Sequence, residues 1–276
     1  MNKNIIIIPA RYASTRLPAK PLAMIAGQTM LQRVVNIANE AAKQAGDCSA
    51  VVATDHEDIV NHCEQLGVEF IMTDPDCQSG TDRCAQTVSK LTYKPKFVVN
   101  LQGDAPLTPP DFIAKMIKQY WQNPSDCLTL VTRLSWNELD LLRTQKSQTP
   151  FSGTTVAINP HDMRALWFSK QIIPAIRAEE KLRQAQSLSP VWRHIGIYGY
   201  SASMLARYAT LLESYYEKLE GLEQLRMLEN GFSIGCVCVD YAGRASMSGV
   251  DSREDVLRAE ELIAKHGELI KIIGKT

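Results

Sequence analysis

Several features that would fix a cellular address or a chemistry are missing from this sequence. The isoleucine run at residues 5–8 is too short to cross a bilayer or to form a signal-peptide core, and no other segment is a span candidate, so a cytoplasmic protein is expected. Neither sign of charge is in excess. Thirty Lys and Arg balance 30 Asp and Glu, which excludes broad attraction to nucleic acid or an anionic surface and leaves charge-driven binding to local clusters. The seven cysteines are scattered and odd in number, which argues against a disulfide framework. The closest pair, Cys236-Val-Cys238, lacks the partner ligands of a zinc site and reads as reduced core thiols. The G-x-x-x-x-G-K-[ST] phosphate loop, the G-x-G-x-x-G dinucleotide turn and the G-x-S-x-G nucleophile elbow are all absent. Any phosphate must therefore be held in another way.

What is present is a chain of 276 residues, 45% hydrophobic, enough to bury a substantial core. Ile5 to Ile8 read as a strand buried on both faces, as a central parallel strand is, and Pro9 is expected to end it. Apolar residues at helical spacing predict a helix over 29–44. A second strand follows at 50–53, a helix at 58–66 before Gly67, and a third strand at 68–72. Further on come a helix at 81–91, a strand at 97–101, a helix at 110–121 and a strand at 128–134. Short apolar strands alternating with helices imply an α/β protein with a doubly wound, mostly parallel sheet.

The texture changes after about residue 133. Strand-like segments at 154–158, 166–168 and 194–200 are separated by long polar stretches, and Lys181 to Pro190, rich in Gln and Ser, reads as a mobile loop. Helices are expected over 201–212 and 219–229, a strand at 234–239, and a last helix from Asp251 to about residue 265. The organisation expected is a core at 1–132, an insertion with a smaller mixed sheet at 133–231, and a return to the core at 232–276.

Ligands of open α/β sheets bind at the carboxyl ends of strands. There the first strand leads into a loop with Arg11, Ser14, Thr15, Arg16 and Lys20, whose cations, hydroxyls and backbone N–H groups suit a polyphosphate. Asp104 follows the fourth strand on the same sheet edge, where a carboxylate can hold magnesium against substrate phosphates; a plain turn aspartate explains it about as well. Asp251 also fits a helix N-cap, with Glu254 three residues on. Alternation in His194-Ile-Gly-Ile-Tyr198-Gly-Tyr200 puts the polar rings on one face, suited to a pocket wall or to an exposed face. Glu223 and Gln224 flank a leucine stripe and either point into a cleft or stay solvated, with Glu223 pairing to Arg226.

Together these segments resemble one family, the CMP-Kdo synthetases (3-deoxy-manno-octulosonate cytidylyltransferases). The resemblance is carried by Ile8-Pro-Ala-Arg11-Tyr-Ala-Ser14-Thr-Arg16-Leu-Pro-Ala-Lys20-Pro21, Ala53-Thr54-Asp55, Gln78-Ser-Gly-Thr-Asp-Arg83 and Asn100-Leu-Gln102-Gly-Asp104. It continues in Phe168-Ser169, Arg193-His194-Ile-Gly-Ile-Tyr198-Gly-Tyr200, Leu222-Glu223-Gln224-Leu225-Arg226 and Gly249-Val-Asp251. It implies a Rossmann-like fold of the nucleotide-diphospho-sugar transferase type, with an insertion for sugar binding and dimerisation. It also implies transfer of CMP from CTP to an acidic 2-keto sugar, with magnesium as cofactor, pyrophosphate as by-product and a homodimer as the assembly. By the same resemblance Ala10, Arg11, Ser14, Arg16, Lys20, Ser79, Gly80, Arg83 and Gln102 lie at the nucleotide, with Arg11 and Lys20 serving the chemistry. Gln102, His194, Tyr198, Glu223 and Gln224 match sugar contacts, and Asp104 and Asp251 match magnesium ligands.

Three positions depart from the family pattern. Ala105 stands where Gln-Gly-Asp is usually followed by Glu, Pro150-Phe-Ser-Gly-Thr154 lacks the Asn and Lys of the usual segment, and Lys170 replaces the Arg of Phe-Ser-Arg. The last two fall in the insertion and bear on the acceptor, which leaves an amino-octulosonate or a phosphonate open beside Kdo. Two other classes remain open at this stage: a glycosyltransferase using a preformed nucleotide-sugar, and a nonenzymatic nucleotide-binding protein.

Overall fold

The computed structural model describes residues 4–14, 16–247 and 249–270. Thr15 lies outside the described residues. In chain order the elements are β1 (Asn4–Ala10), a one-turn 3-10 helix (Lys20–Leu22), the short β2 (Met24–Ile25) and β3 (Gln28–Thr29), α1 (Met30–Ala45), β4 (Cys48–Thr54), α2 (Glu57–Leu66), β5 (Phe70–Met72), α3 (Gly80–Lys90), β6 (Phe97–Asn100), α4 (Pro110–Gln122), β7 (Cys127–Ser135) and α5 (Trp136–Gln148). They continue with β8 (Thr155–Ile158), β9 (Ala165–Ser169), α6 (Glu179–Ala185), β10 (Leu188–Ser201), α7 (Ala202–Tyr208), α8 (Tyr215–Glu220), α9 (Leu225–Glu229), β11 (Ile234–Cys238) and α10 (Arg253–His266). No helix among the described residues is long and apolar enough to cross a membrane.

Strands β11-β7-β10-β6-β1-β4-β5 line up in one sheet, and the β8–β9 hairpin joins it by pairing with β10. Pairings β1–β4, β1–β6, β4–β5 and β7–β11 are parallel, as the doubly wound pattern requires, while β10 runs antiparallel to both β6 and β7. The β8–β9 hairpin, in the segment expected as an insertion, is thus continuous with the large sheet. The isoleucine run is central because both of its faces are covered. Ile6 and Ile8 pack with Leu31, Val34, Phe112 and Met116 of α1 and α4. Ile5 and Ile7 pack on the other face with Cys84, Met204 and Tyr208 of α3 and α7.

Four local expectations are corrected. The first strand does not stop at Pro9 but runs on to Ala10, with Pro9 opposite Ala53. The Ile7 carbonyl accepts from Leu101 N–H, and alternation turns Pro9 to that same side, beyond the last paired residue of β6, so its missing N–H costs no ladder bond. The segment Lys181–Pro190 is not a mobile loop: it holds α6 and the start of β10. Arg183 bonds to Asp140 and Glu179 at 2.6 Å and stacks 4.6 Å over Trp136. Gly221 splits the helix expected over 219–229 into α8 and α9. Finally, the cap of the last helix is Ser252 with Asp255, one residue beyond the expected Asp251–Glu254 pair, which leaves the Asp251 carboxylate free to face elsewhere.

Candidate active site

The carboxyl ends of β1 and β6 lie side by side and deliver two loops to the same place. This closeness demands a glycine: a Cβ on Gly103 would stand 2.6 Å from the Pro9 carbonyl oxygen. The loop after β1 carries Ala10, Arg11, Ser14, Arg16 and Lys20; the loop after β6 carries Gln102 and Asp104. The segment before α10 adds Asp251, and a hydrogen bond from Val250 N–H to the Asp104 carbonyl (2.9 Å) ties these last two backbones together. A small cavity of about 110 Å3 is shared by Arg11, Ser14, Arg16, Lys20, Asp104 and Asp251.

Within it the Lys20 ammonium reaches Asp104 Oδ2 at 2.5 Å and Asp251 Oδ1 at 2.7 Å, while Arg16 lies 3.2 Å from Asp251 Oδ2. Partial burial pushes the Asp251 pKa up, but the Lys20 hydrogen bond and the Lys20 and Arg16 charges outweigh it, so the carboxyl ends below its ordinary value. Arg11 is exposed at the cavity mouth and makes no ion pair among the described residues. Ser79 caps α3 through a reciprocal box with Asp82, so the helix N-terminus, with Gly80, opens onto a neighbouring space of about 170 Å3 that Arg11 and Gln102 also line. Arg83 lies at the edge of that space, but its guanidinium is buried and committed to Asp55 (2.7 Å) and Thr73. Asp55 in turn accepts from Tyr12 N–H at 3.4 Å, so Arg83 supports the first loop from below.

Past Gln102 the space widens into a polar cavity of about 540 Å3. It brings together all the predicted sugar residues: Gln102, His194, Tyr198, Glu223 and Gln224. The half-buried His194 is held by Thr129 Oγ1 at 2.9 Å, and burial plus the nearby Lys170 charge push its pKa down to about 3, so it is neutral. Tyr198 O–H donates to Gln224 Oε1 at 2.9 Å, and Gln224 Nε2, buried, has no hydrogen-bond partner among the described residues. Burial pushes the Glu223 carboxyl up to about 7, although the Thr81 hydroxyl, 3.1 and 3.2 Å from its two oxygens, works the other way. Arg226 pairs with Glu217 rather than with Glu223. Tyr200, on the same strand face, is fully buried against Tyr208 and does not reach the cavity.

Two buried residues that bond to the cavity-lining Gln102 and Glu223, Asn100 and Thr81, were not among the site residues expected from sequence. Gln102 Nε2 donates to Asn100 Oδ1 and Asn100 Nδ2 to Thr81 Oγ1, both at 3.2 Å, and Thr81 donates onward to Glu223. This chain of bonds joins the space lined by Arg11 and Gln102 to the wide cavity. Its signal was a fully buried asparagine closing an otherwise apolar strand, since a buried amide needs partners. Thr154, Lys170 and Arg193 also line the wide cavity. Lys146 sets that wall by donating to the carbonyls of Ser152, Gly153 and Lys170. Among the described residues neither Lys170 nor Arg193 makes an ion pair within 4 Å, and burial, eased by Glu220, lowers the Lys170 pKa.

Comparisons with known proteins show which family the chain belongs to. A family model described as cytidylyltransferase matches residues 5–234. The chain is 42% identical over 267 residues to the 3-deoxy-manno-octulosonate cytidylyltransferase of Maricaulis maris, covering 96% of this chain and 99% of that one. It is 40% identical over 275 residues to the enzyme of the same name from Marinobacter nauticus, covering 95% and 97%. Among solved structures, a CMP:2-keto-3-deoxy-manno-octonic acid synthetase complexed with CTP superposes with a TM-score of 0.81 at 32% identity, covering 95% of this chain and 99% of that one. The chain therefore belongs to the 3-deoxy-manno-octulosonate cytidylyltransferases and is a nucleotidyltransferase.

Proposed function

We propose that the protein transfers CMP from CTP to the anomeric hydroxyl of 3-deoxy-manno-octulosonate in a magnesium-dependent reaction that releases pyrophosphate, supplying lipopolysaccharide or capsule synthesis. The observation that carries this reading is the convergence of Asp104 and Asp251 on one cation, inside a loop of Arg11, Ser14, Arg16 and Lys20, at the mouth of a polar cavity. The carboxylates fit magnesium, since one oxygen of each already converges on a single ammonium, and magnesium takes hard oxygen donors while keeping water and phosphate oxygens as its other ligands. Bound there by Asp104 and Asp251, the ion would offset phosphate charge and acidify the attacking hydroxyl.

The chain's own groups do the rest. Arg11, Arg16 and Lys20 bind the phosphate oxygens and stabilise the charge that gathers on the departing pyrophosphate more than they stabilise the ground state. Gln102, Tyr198, Glu223 and Gln224 hold and orient acceptor hydroxyls, with the unpaired Gln224 Nε2 a ready donor. Neutral His194 contributes a hydrogen bond without a charge. Lys170 and Arg193, cations that line the cavity and make no ion pair within 4 Å among the described residues, suit the acceptor carboxylate.

A test is pyrophosphate release with CTP, magnesium and 3-deoxy-manno-octulosonate. Removing a group that works only in the transition state costs about 10^2- to 10^3-fold, so Asp104→Asn and Asp251→Asn should each lose at least that, with the fold intact by circular dichroism. Near-native turnover in the double variant refutes the assignment. Thr154 and Lys170 stand in the cavity where the family carries Lys and Arg, which favours one second reading, an amino-octulosonate or phosphonate acceptor; the same assay run with those acceptors decides it. A cytoplasmic location accords with the seven unpaired thiols. Assembly as a homodimer through the 133–231 segment accords with its exposed Leu212, Tyr215 and Leu219.

A further inference from the structure

We propose that Lys20 is an internal counter-cation that closes the Asp104–Asp251 pair to a divalent metal until a nucleotide draws it away, so that the metal enters with the triphosphate or after it. This rests on the nucleotidyl-transfer reading of the site and adds an order of binding to it.

The two carboxylates sit on backbone that is already fixed. Val250 N–H donates to the Asp104 carbonyl at 2.9 Å, and Asp251 N–H donates to Asp255 Oδ2 at 3.0 Å at the start of α10. Gly249 takes a φ of +154° beside Asp104, a conformation side chains rarely adopt, and a Cβ there would lie 3.5 Å from the Asp104 carbonyl oxygen. Between these fixed groups the Lys20 ammonium bonds one oxygen of each carboxylate, at 2.5 and 2.7 Å. An ion bridging the pair must take the same position. Arg16 holds the remaining Asp251 oxygen at 3.2 Å. Two carboxylates against two cations leave the cluster formally neutral, so a divalent ion arriving alone meets no net attraction and must expel an ammonium that has no other acidic partner among the described residues. The Lys20 side chain is only 16% exposed, so bulk salt screens this lock weakly.

A triphosphate changes that balance. The cavity that holds Lys20 and both carboxylates is also lined by Arg11, Ser14 and Arg16, so a phosphate bound there lies within the sweep of the four-carbon lysine stem. Phosphate oxygens give the ammonium a new partner and leave the carboxylates short of a cation in the same step. Nucleotide and metal therefore bind with positive coupling, and by linkage each raises the affinity for the other by the same factor.

The test is a titration of Mn2+ alone, followed by electron paramagnetic resonance, into wild type and Lys20→Met, with and without CTP and with no acceptor present. Thermal melts establish that the variant is folded, CTP titrations without metal set the nucleotide concentration that saturates it now that one phosphate contact is gone, and Lys20→Gln serves if the Met variant is unstable. The wild type should bind Mn2+ weakly alone and about 5- to 150-fold more tightly with CTP, the span usual for coupled sites. Lys20→Met should bind Mn2+ without nucleotide at least about tenfold better than wild type, and CTP should raise its Mn2+ affinity by a smaller factor than in wild type, since only direct phosphate ligation is then left to couple the two. Equal or weaker nucleotide-free Mn2+ binding in the variant overturns the proposal while leaving the transfer reading intact, provided wild type with CTP binds Mn2+ and Asp251→Asn does not. If wild type with CTP binds no more Mn2+ than CTP alone, the metal reading itself falls, and the proposal with it.

Discussion

Glu223 lets the cost of building the wide polar cavity, the proposed acceptor site, be measured directly. Its carboxyl is raised from 4.5 to about 7, chiefly by burial, with the Thr81 hydrogen bond and the Arg226 charge opposing. The sign follows from proton binding. Below pH 4.5 the group is protonated in both folded and unfolded chains and costs nothing. Between 4.5 and about 7 the unfolded chain loses the proton while the folded one keeps it, so stability falls as pH rises. Above about 7 the full cost remains. At about 1.36 kcal/mol per pH unit that rise corresponds to about 3 kcal/mol. Glu223→Gln keeps an acceptor for the Thr81 hydroxyl and removes the titration. It should therefore be about 3 kcal/mol more stable than wild type at pH 8.5, with the difference shrinking toward zero near pH 4.5. Urea unfolding of both proteins at the two pH values measures it, and because only the difference between the proteins is read, the remaining titrating groups cancel. At roughly 2 °C per kcal/mol for a chain of this size, the melting point at pH 8.5 should rise by about 6 °C. A stability difference that is the same at both pH values, within about 0.5 kcal/mol, refutes the assignment. At pH 8.5, where the carboxyl is ionised, the same substitution should raise the acceptor KM about tenfold or more, since it replaces a charged hydrogen-bond acceptor, worth about 1.5–3 kcal/mol, by a neutral amide. A site residue whose removal stabilises the free protein is what a cavity built for a ligand predicts.

Two further outcomes follow. Gly103→Ala places a methyl 2.6 Å from the Pro9 carbonyl oxygen, where neither backbone can yield cheaply; it should cost about 1–3 kcal/mol in urea unfolding and weaken CTP binding, and wild-type values in both assays refute the close approach. Sedimentation equilibrium should show a dimer that Leu219→Asp, on a residue 62% exposed in the single chain, converts to monomer, and a wild type that stays monomeric at every concentration refutes the assembly.

What could be read from sequence, and what could not, divides along a physical line. Ile5 to Ile8, the α1 stripe from Met30 to Ala41 and the strand at Phe97 were legible because burial on one or both faces leaves a period in the residues themselves. Pro9 was misjudged because whether a missing N–H matters depends on which neighbour faces it, and β6 has already ended there. Lys181–Pro190 was misjudged for a similar reason: its polar composition hides pairs such as Arg183–Asp140, made across 43 residues. The site residues were legible as types, because cations and carboxylates placed just after buried strands have few structural uses. Their arrangement was not. Lys20 meets Asp104 across 84 positions and Asp251 across 231, and local spacing carries no trace of either meeting. For the same reason the cap of α10 matters beyond one residue. Had Asp251 been the cap, its carboxylate would have been spent on the helix's own N–H groups; with Ser252 taking that role, Asp251 is free to meet Lys20. A one-residue shift in a helix start thus separates a structural aspartate from a candidate metal ligand, and only the fold resolves it.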